Sequence, residues 1–214
     1  YSMSATLLEK VKELSSGNKI TSIHYLESEQ EKELLESASG EMMASYAAMD
    51  ISPGMLYDRV PDHITGIREY LSRSGKLILV HNTYATEADI EAALERGNSY
   101  FCLCPGSNMY IEKRMPPLAM LHSLGADIVI GTDSLASNTT LDIVEELKII
   151  SAEFPGLALD KLLGWASLNG ARALGVDDEY GSIEKGKKPG LVLLENVNLE
   201  RLELTPATKC RRLI

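Results

Sequence analysis

The stretch that decides the fold is KLILVH, residues 76–81, in which four consecutive apolar residues lead directly into a histidine. A run this short and apolar is typical of a parallel strand that is buried on both faces. A second such run is ADIVI, residues 126–130, and it is followed by Gly131, Thr132 and Asp133. In both places a buried strand ends in a polar group that packing alone does not require.

Strand and helix patterns alternate outward from these two runs. Strands are predicted at 19–26, 76–81, 99–104 and 126–130, and helices at 6–16, 28–49, 63–72, 86–96, 116–125, 140–153 and 160–174. Ser28 with Glu31, and Thr86 with Asp89, form capping-box patterns at two of the helix starts. Strands that alternate with helices imply parallel pairing through right-handed crossovers.

The number of these units sets the fold class, which is predicted as α/β. Four βα units cannot close an eight-stranded TIM barrel, which needs roughly 250 residues. Residues 1–180 are therefore predicted to form half of such a barrel. The sequence pattern of residues 181–214 is typical of short strands and turns, and these residues are predicted to form a separate β segment.

Charge and cysteine content exclude several classes of protein. A net charge of −10 over 214 residues argues against binding to nucleic acid or to an anionic membrane surface. No apolar run approaches the ~20 residues that a bilayer-spanning helix needs. Three cysteines do not make a disulfide framework and fit a reducing compartment. We therefore expect a cytoplasmic protein.

The candidate functional residues follow the four predicted strands. In chain order they are His24 and Glu27, then His81, then Asn108, and finally Asp133 with Ser134 and Asn138. Active sites of parallel α/β barrels lie at this end of the strands. Two imidazoles and a carboxylate suit zinc or a similar divalent ion, which activates bound water. Glu27, three residues after His24, is placed to transfer protons.

Other reactive side chains are interpreted more simply. His122 is predicted to be structural, and His63 falls in a loop where it could line a pocket. Cys102 and Cys104 share one face of their strand and are predicted to be small core residues, although a ligand role is conceivable. Tyr110 and Trp165 are also predicted to lie in the core, and Tyr110 could instead reach a substrate.

Taken together, the motifs resemble a known family. They are HYLE at 24–27, LVHN at 79–82, CPGSN at 104–108 and GTDSLASN at 131–138, followed by NGARALG at 169–175 and GSIEKGKKPGLVLL at 181–194. This set is similar to the amidohydrolase superfamily, in the branch of guanine and methylthioadenosine/S-adenosylhomocysteine deaminases and triazine chlorohydrolases. The resemblance implies strands five to eight of the barrel and the C-terminal strands of a small β-sandwich.

The resemblance also implies roles for the candidate residues. His24 and Asp133 resemble metal ligands, for zinc or alternatively iron or manganese, and Asp133 also resembles the acceptor of a proton from water. Glu27 resembles the acid that moves protons between water and substrate, and His81 the histidine that contacts either one. Asn108, Ser134 and Asn138, together with the residues between the last two, resemble residues that shape the substrate pocket. The implied activity is hydrolysis of a C–N bond, most simply deamination of a purine-like small molecule.

One departure from the family pattern is large. The family's first strand carries an H-x-H pair of metal ligands, and no H-x-H occurs in this sequence. We therefore expect this chain alone to bind metal weakly and to be inactive. Its expected partners are the N-terminal half of the barrel and a small-molecule substrate, with self-association of the half-barrel as a further possibility. A hydrolytic dechlorinase or amidase on the same scaffold, and a non-catalytic half-barrel, remain as alternatives.

Overall fold

The computed structural model describes residues 1, 3, 5–14, 20–51 and 75–214. The strands within these ranges are β1 (Ile20–Tyr25), β2 (Lys76–His81), β3 (Ser99–Leu103), β4 (Asp127–Ile130), β5 (Val192–Glu195) and β6 (Lys209–Arg212). The helices are α1 (Ala5–Leu14), α2 (Glu29–Ser37), α3 (Gly40–Ala48), α4 (Glu87–Arg96), α5 (Pro105–Ile111), α6 (Leu118–Ser123), α7 (Ile143–Glu153), α8 (Leu159–Ala166) and α9 (Leu168–Ala173). In the part of the chain so described, no helix has the length and apolarity needed to cross a membrane.

The predicted α/β class is confirmed. All four predicted strands are present, and they follow one another in the sheet in the order β1-β2-β3-β4. Strands β1 and β2 are parallel, with Ile20 opposite Lys76 and Tyr25 opposite His81. Strands β5 and β6 form a separate antiparallel pair, which agrees with the short strands predicted in the C-terminal segment.

The two predicted capping boxes differ in the structure. At α4 the Thr86 hydroxyl accepts from the Asp89 N–H, and the Asp89 carboxylate accepts from the Thr86 N–H at 2.8 Å, so that box is complete. At α2 the Ser28 hydroxyl accepts from the Glu31 N–H at 3.1 Å. The Glu31 carboxylate, however, accepts from the N–H of Glu27, one residue before the cap.

Several helix boundaries also differ from the prediction. The helix predicted over 28–49 is two helices, because Ala38 adopts a left-handed φ of 49° that ends α2. The helix predicted over 160–174 likewise divides at Ser167. Helix α5 was not predicted, although Pro105 at its first position is favourable there. The helix predicted over 63–72, and His63 with it, lie outside the described residues.

The chain divides into two compact units, residues 1–100 with 116–126, and residues 101–115 with 127–214. The domain boundary predicted after residue 180 stays a prediction. In the first unit the fully buried apolar side chains include Leu77, Leu79 and Ile90. In the second unit α8 and α9 pack against β4, and α5 packs against α7.

Trp165 and Tyr110 were both predicted to lie in the core, and only one of them does. Trp165 on α8 is buried, as predicted. Tyr110, near the end of α5, is 56% exposed and therefore does not belong to the core. The error arose because the segment was read as a strand end and not as a helix with an outward face.

The start of the C-terminal segment offers a test of this packing. A Cβ at Gly181 would lie 2.6 Å from the Ala171 Cβ and 2.9 Å from the Leu168 Cα, both in α9. Gly186 has a similarly positive φ, yet a Cβ there would meet nothing within 4 Å. Gly181→Ala should therefore lower the free energy of unfolding by about 1–3 kcal/mol more than Gly186→Ala, through overpacking. Urea denaturation of both variants measures the difference, and equal losses would contradict this packing.

Candidate active site

Two histidines meet at the carboxyl ends of β1 and β2. The rings of His24 and His81 are stacked, with centroids 5.3 Å apart and an interplanar angle of 24°. The His81 side chain is buried, whereas His24 is exposed. The structure therefore brings these two predicted site residues together.

This stacking depends on a break in the strand geometry. The register pairs His24 with Val80 and Tyr25 with His81, so regular alternation would put the two imidazoles on opposite faces of the sheet. His81, however, has a φ of 76°, outside the extended region that strands use. We attribute the shared position of the two rings to this positive φ. Positive φ in a residue other than glycine is uncommon and tends to mark functional sites.

The segment after β2 is hydrogen-bonded to the end of β1. The N–H of Asn82 donates to the Tyr25 carbonyl at 2.9 Å, and the N–H of Tyr84 donates to the Leu26 carbonyl at 3.0 Å. The buried Asn82 side chain also donates to the Leu79 carbonyl at 2.8 Å. These bonds extend the parallel ladder past the strands, and so hold the strand ends in register where the histidines lie.

Glu27 completes this cluster in the first unit. Its Oε1 lies 3.4 Å from Nε2 of His81, and its side chain is 19% exposed. The Glu27 N–H donates to Oε2 of Glu31 at 2.8 Å. Glu31 is buried, and this burial raises the pKa of its carboxyl above the ordinary value, although the bond from Glu27 acts in the opposite direction. The sequence marked Glu31 as a capping residue, and the structure shows that it holds the backbone of Glu27.

Asp133 is the centre of a second cluster, in the second unit. It follows β4 with a φ of 58° and is exposed. The Ser107 hydroxyl donates to Oδ2 of Asp133 at 2.8 Å, and the Ser137 hydroxyl donates to the same oxygen. Ser107 and Ser137 are both buried. Ser107 was given no role from the sequence, and Ser137 belongs to the segment 134–138 that the resemblance assigns to the pocket.

A buried glutamate supports the segments that carry these serines. Glu146 of α7 has no exposed surface. Its Oε2 accepts from the Gly106 N–H at 2.7 Å, and its Oε1 accepts from the Asn138 amide at 2.6 Å. Burial raises the pKa of this carboxyl, and the two donors act against that shift. A Cβ at Gly106 would lie within 2.8 Å of both the Asn138 and Glu146 side chains, so a larger residue there would displace these two groups.

The three predicted pocket residues have different surroundings. Asn108 is buried within α5, and Ser134 is exposed with its hydroxyl accepting from the Ala136 N–H at 3.2 Å. The Asn138 side chain donates to the Thr132 carbonyl at 2.7 Å as well as to Glu146, so its amide nitrogen bonds within the protein. A contact of any of the three with substrate stays a prediction.

Cys102 on β3 and Cys104, directly after it, fit their predicted assignment as core residues. Cys104 is buried and Cys102 is partly buried. A Cβ at Gly131 would lie 3.0 Å from Sγ of Cys102 and 3.2 Å from Sγ of Cys104, so the two sulfurs pack against one glycine. Their mutual hydrogen bond, followed by burial, raises the pKa of the Cys104 thiol.

The donor types present fit a divalent metal ion in kind. An exposed imidazole at His24, and a carboxylate at Asp133 held through one oxygen by two hydroxyls, are suited to zinc and similar ions. Among the described residues, however, no three His, Cys, Asp or Glu side chains converge as a metal site would require. Metal binding by His24 and by Asp133 therefore stays a prediction.

Comparison with known proteins identifies the family. The model of the amidohydrolase family matches residues 2–209, and the chain belongs to that family. A 5'-deoxyadenosine deaminase from Methanobrevibacter smithii is 29% identical over 97% of this chain and 45% of its own length. A 5-methylthioadenosine/S-adenosylhomocysteine deaminase from Teredinibacter turnerae is 30% identical over 56% of this chain and 29% of its own length.

Solved structures agree on the fold. A Helicobacter pylori aminofutalosine deaminase in complex with methylthio-coformycin has a TM-score of 0.72 at 22% identity, over 86% of this chain and 44% of that one. A Xanthomonas campestris adenosine deaminase with bound zinc has a TM-score of 0.63 at 29% identity, over 92% of this chain and 42% of that one. The chain thus spans less than half the length of these relatives.

The burial of Glu31 leads to a pH-dependent stability. Because its pKa is raised in the folded state, the folded chain binds this proton more tightly than the unfolded chain does. The associated stability is present below the ordinary value of 4.5 and is lost as pH rises through the raised folded value.

The isosteric variant Glu31→Gln should remove this loss while keeping an oxygen that can accept from Glu27. Its free energy of unfolding, relative to the original chain, should increase between pH 4 and pH 7 in urea titrations. Glu33→Gln, an exposed change on the same helix, serves as the control and should show no such trend. A flat difference for Glu31→Gln would contradict the burial argument.

Proposed function

We propose that the whole protein containing this chain is a metal-dependent hydrolase that removes an amino group from a purine-like N-heterocycle. The observation that carries the proposal is the His24–His81 stack with the Glu27 carboxylate 3.4 Å from His81 Nε2, at the carboxyl ends of two parallel strands. Relatives named as deaminases of 5'-deoxyadenosine and methylthioadenosine support the choice of reaction. The chain would supply strands five to eight of the barrel.

His24 and Asp133 would hold the divalent ion, most simply zinc, together with ligands from the rest of the protein. When bound, the ion supplies a water nucleophile that is available at neutral pH. Asp133 is suited to hold a proton from that water, because its carboxylate is fixed through Oδ2. Iron or manganese would suit the same donor types.

Glu27 would carry protons between water and the substrate. Its carboxylate is partly exposed, and His81 Nε2 lies at 3.4 Å, so a proton held on Glu27 has a polar group beside it. In the overall reaction, water adds its oxygen to the ring carbon and the bond from that carbon to the amine breaks. Glu27 delivers the proton that lets the nitrogen leave as ammonia. His81 would orient the water or the substrate at its buried position.

The pocket would be shaped in part by Asn108, Ser134 and Asn138, in keeping with their place after β3 and β4. This chain on its own would bind metal weakly and would not turn over substrate, because its sequence lacks the family's H-x-H pair. Dechlorination or amide hydrolysis on the same scaffold, and a non-catalytic role, are distinguished by the assay that follows.

Glu27→Gln in the complete protein should lower kcat for ammonia release by about 10²–10⁴-fold, since the amide cannot transfer protons. Glu29→Gln, an exposed change two residues later, is the matched control and should leave kcat within about twofold. The assay compares adenosine-type nucleosides, guanine and a chlorotriazine, with metal content measured in the same preparations. Chloride release in place of ammonia would favour the dechlorinase. Complete protein that binds no metal when zinc, iron or manganese is supplied would overturn the proposal.

A further inference from the structure

Two hydroxyls converge on a single oxygen of Asp133. A carboxylate oxygen has about two lone-pair positions for hydrogen bonds or metal. Ser107 at 2.8 Å and Ser137 both donate to Oδ2, and therefore use both positions on that oxygen. Ser137 also lies 3.3 Å from the Ser134 carbonyl, but its single hydroxyl proton goes to the closer carboxylate. Both hydroxyls therefore hold Asp133 through the same oxygen.

The two serines come from different segments, which need a common support. Ser107 lies in α5, and Ser137 lies in the turn after β4, where its N–H donates to the Ser134 carbonyl at 3.1 Å. Glu146 bonds to the residue directly before Ser107 and to the residue directly after Ser137, which are Gly106 and Asn138. One buried carboxylate on α7 therefore binds the backbone next to Ser107 and the side-chain amide next to Ser137.

We propose that Ser107 and Ser137 are positioning residues that fix the Asp133 carboxylate through Oδ2 in the orientation that binds the metal, and that Glu146 supports the segments of the two serines. This proposal rests on the proposed function, and in particular on Asp133 as a metal ligand. A ligating carboxylate that is hydrogen-bonded through its other oxygen keeps one orientation, and loss of such outer contacts commonly weakens metal binding. Asp133 is exposed and has a left-handed φ, so the two hydroxyl contacts on Oδ2 restrict the orientation of its side chain more than burial does.

The test uses the complete protein and measures the Zn²⁺ dissociation constant by competition with a chromophoric chelator. Ser107→Ala and Ser137→Ala should each weaken Zn²⁺ binding by about 10-fold, and the double variant by up to about 100-fold. kcat should fall while KM changes little, because the serines act through Asp133. Ser137→Thr, which keeps the hydroxyl, should restore affinity to near the original value.

Two controls separate positioning from general stability. Ser167→Ala removes an exposed hydroxyl that donates to the Leu163 carbonyl in the same unit, and it should leave Zn²⁺ affinity unchanged. The Tm of the metal-free protein should be similar for this control and for the two serine variants. Glu146→Gln should weaken Zn²⁺ binding as well, because an amide can accept from only one of its two donors. Since this variant can also destabilise the fold, its affinity is compared at a temperature well below its own Tm.

The outcomes distinguish the positioning role of the serines from the assignment of Asp133 as a metal ligand. If Asp133→Asn reduces Zn²⁺ affinity and the serine double variant matches Ser167→Ala, the positioning role is overturned and the proposed function stands. If Asp133→Asn leaves Zn²⁺ affinity and turnover unchanged, the ligand assignment and the positioning role both fail. A loss of affinity in the serine variants that follows the Tm of the metal-free protein would show a structural role only.

Discussion

A carboxylate without exposed surface must find its hydrogen bonds inside the protein, because leaving it unpaired costs several kcal/mol. Glu146 finds two, from the Gly106 N–H and from the Asn138 amide, at 2.7 and 2.6 Å. The consequence is local order in three segments that are far apart in sequence. Helix α7, the start of α5 and the turn after β4 cannot move independently without breaking one of these bonds. The geometry around Asp133 in the second unit depends on this arrangement.

The first unit reaches a similar result through the backbone. The parallel ladder of β1 and β2 continues into the bonds made by Asn82 and Tyr84. These bonds hold His81 in a conformation that strands normally exclude, with a φ of 76°. As a result, the buried imidazole of His81 stacks on the exposed imidazole of His24, and the Glu27 carboxylate lies beside His81. Strain of this kind persists only where surrounding contacts over-determine the backbone.

Much of the fold could be predicted from the sequence, and the reasons are physical. The bounds of the strand KLILVH were predicted correctly, because a short apolar run bounded by polar residues is typical of a strand that is buried on both faces. Thr86 and Asp89 marked the start of α4 correctly, because a capping box is a local interaction. Helix α5 was missed because Pro105 and Gly106 also suit a turn. The break at Ala38 was missed because alanine gives no signal of a left-handed conformation.

The candidate site could be predicted less completely. Polar residues after buried strands pointed to His24, Glu27, His81 and Asp133, since strand ends are recognisable by position alone. Ser107 and Glu146 were not identified, because their roles arise from contacts with residues 26 and 40 positions away. A glutamate on an amphipathic helix normally faces solvent, and only the three-dimensional structure shows that this one is buried.

The position of Glu146 on α7 has a consequence for how this part of the protein can change. Its neighbours Leu147 and Ile150 are fully buried, so the same helix carries core packing and the support of Asp133. A substitution that shifts α7 to relieve a packing defect also displaces Gly106 and Asn138, and with them the two serines. In this helix, a substitution that changes the stability of the fold is therefore expected to change the geometry around Asp133 as well. Directed evolution for higher stability through α7 would therefore require further substitutions that restore the geometry around Asp133.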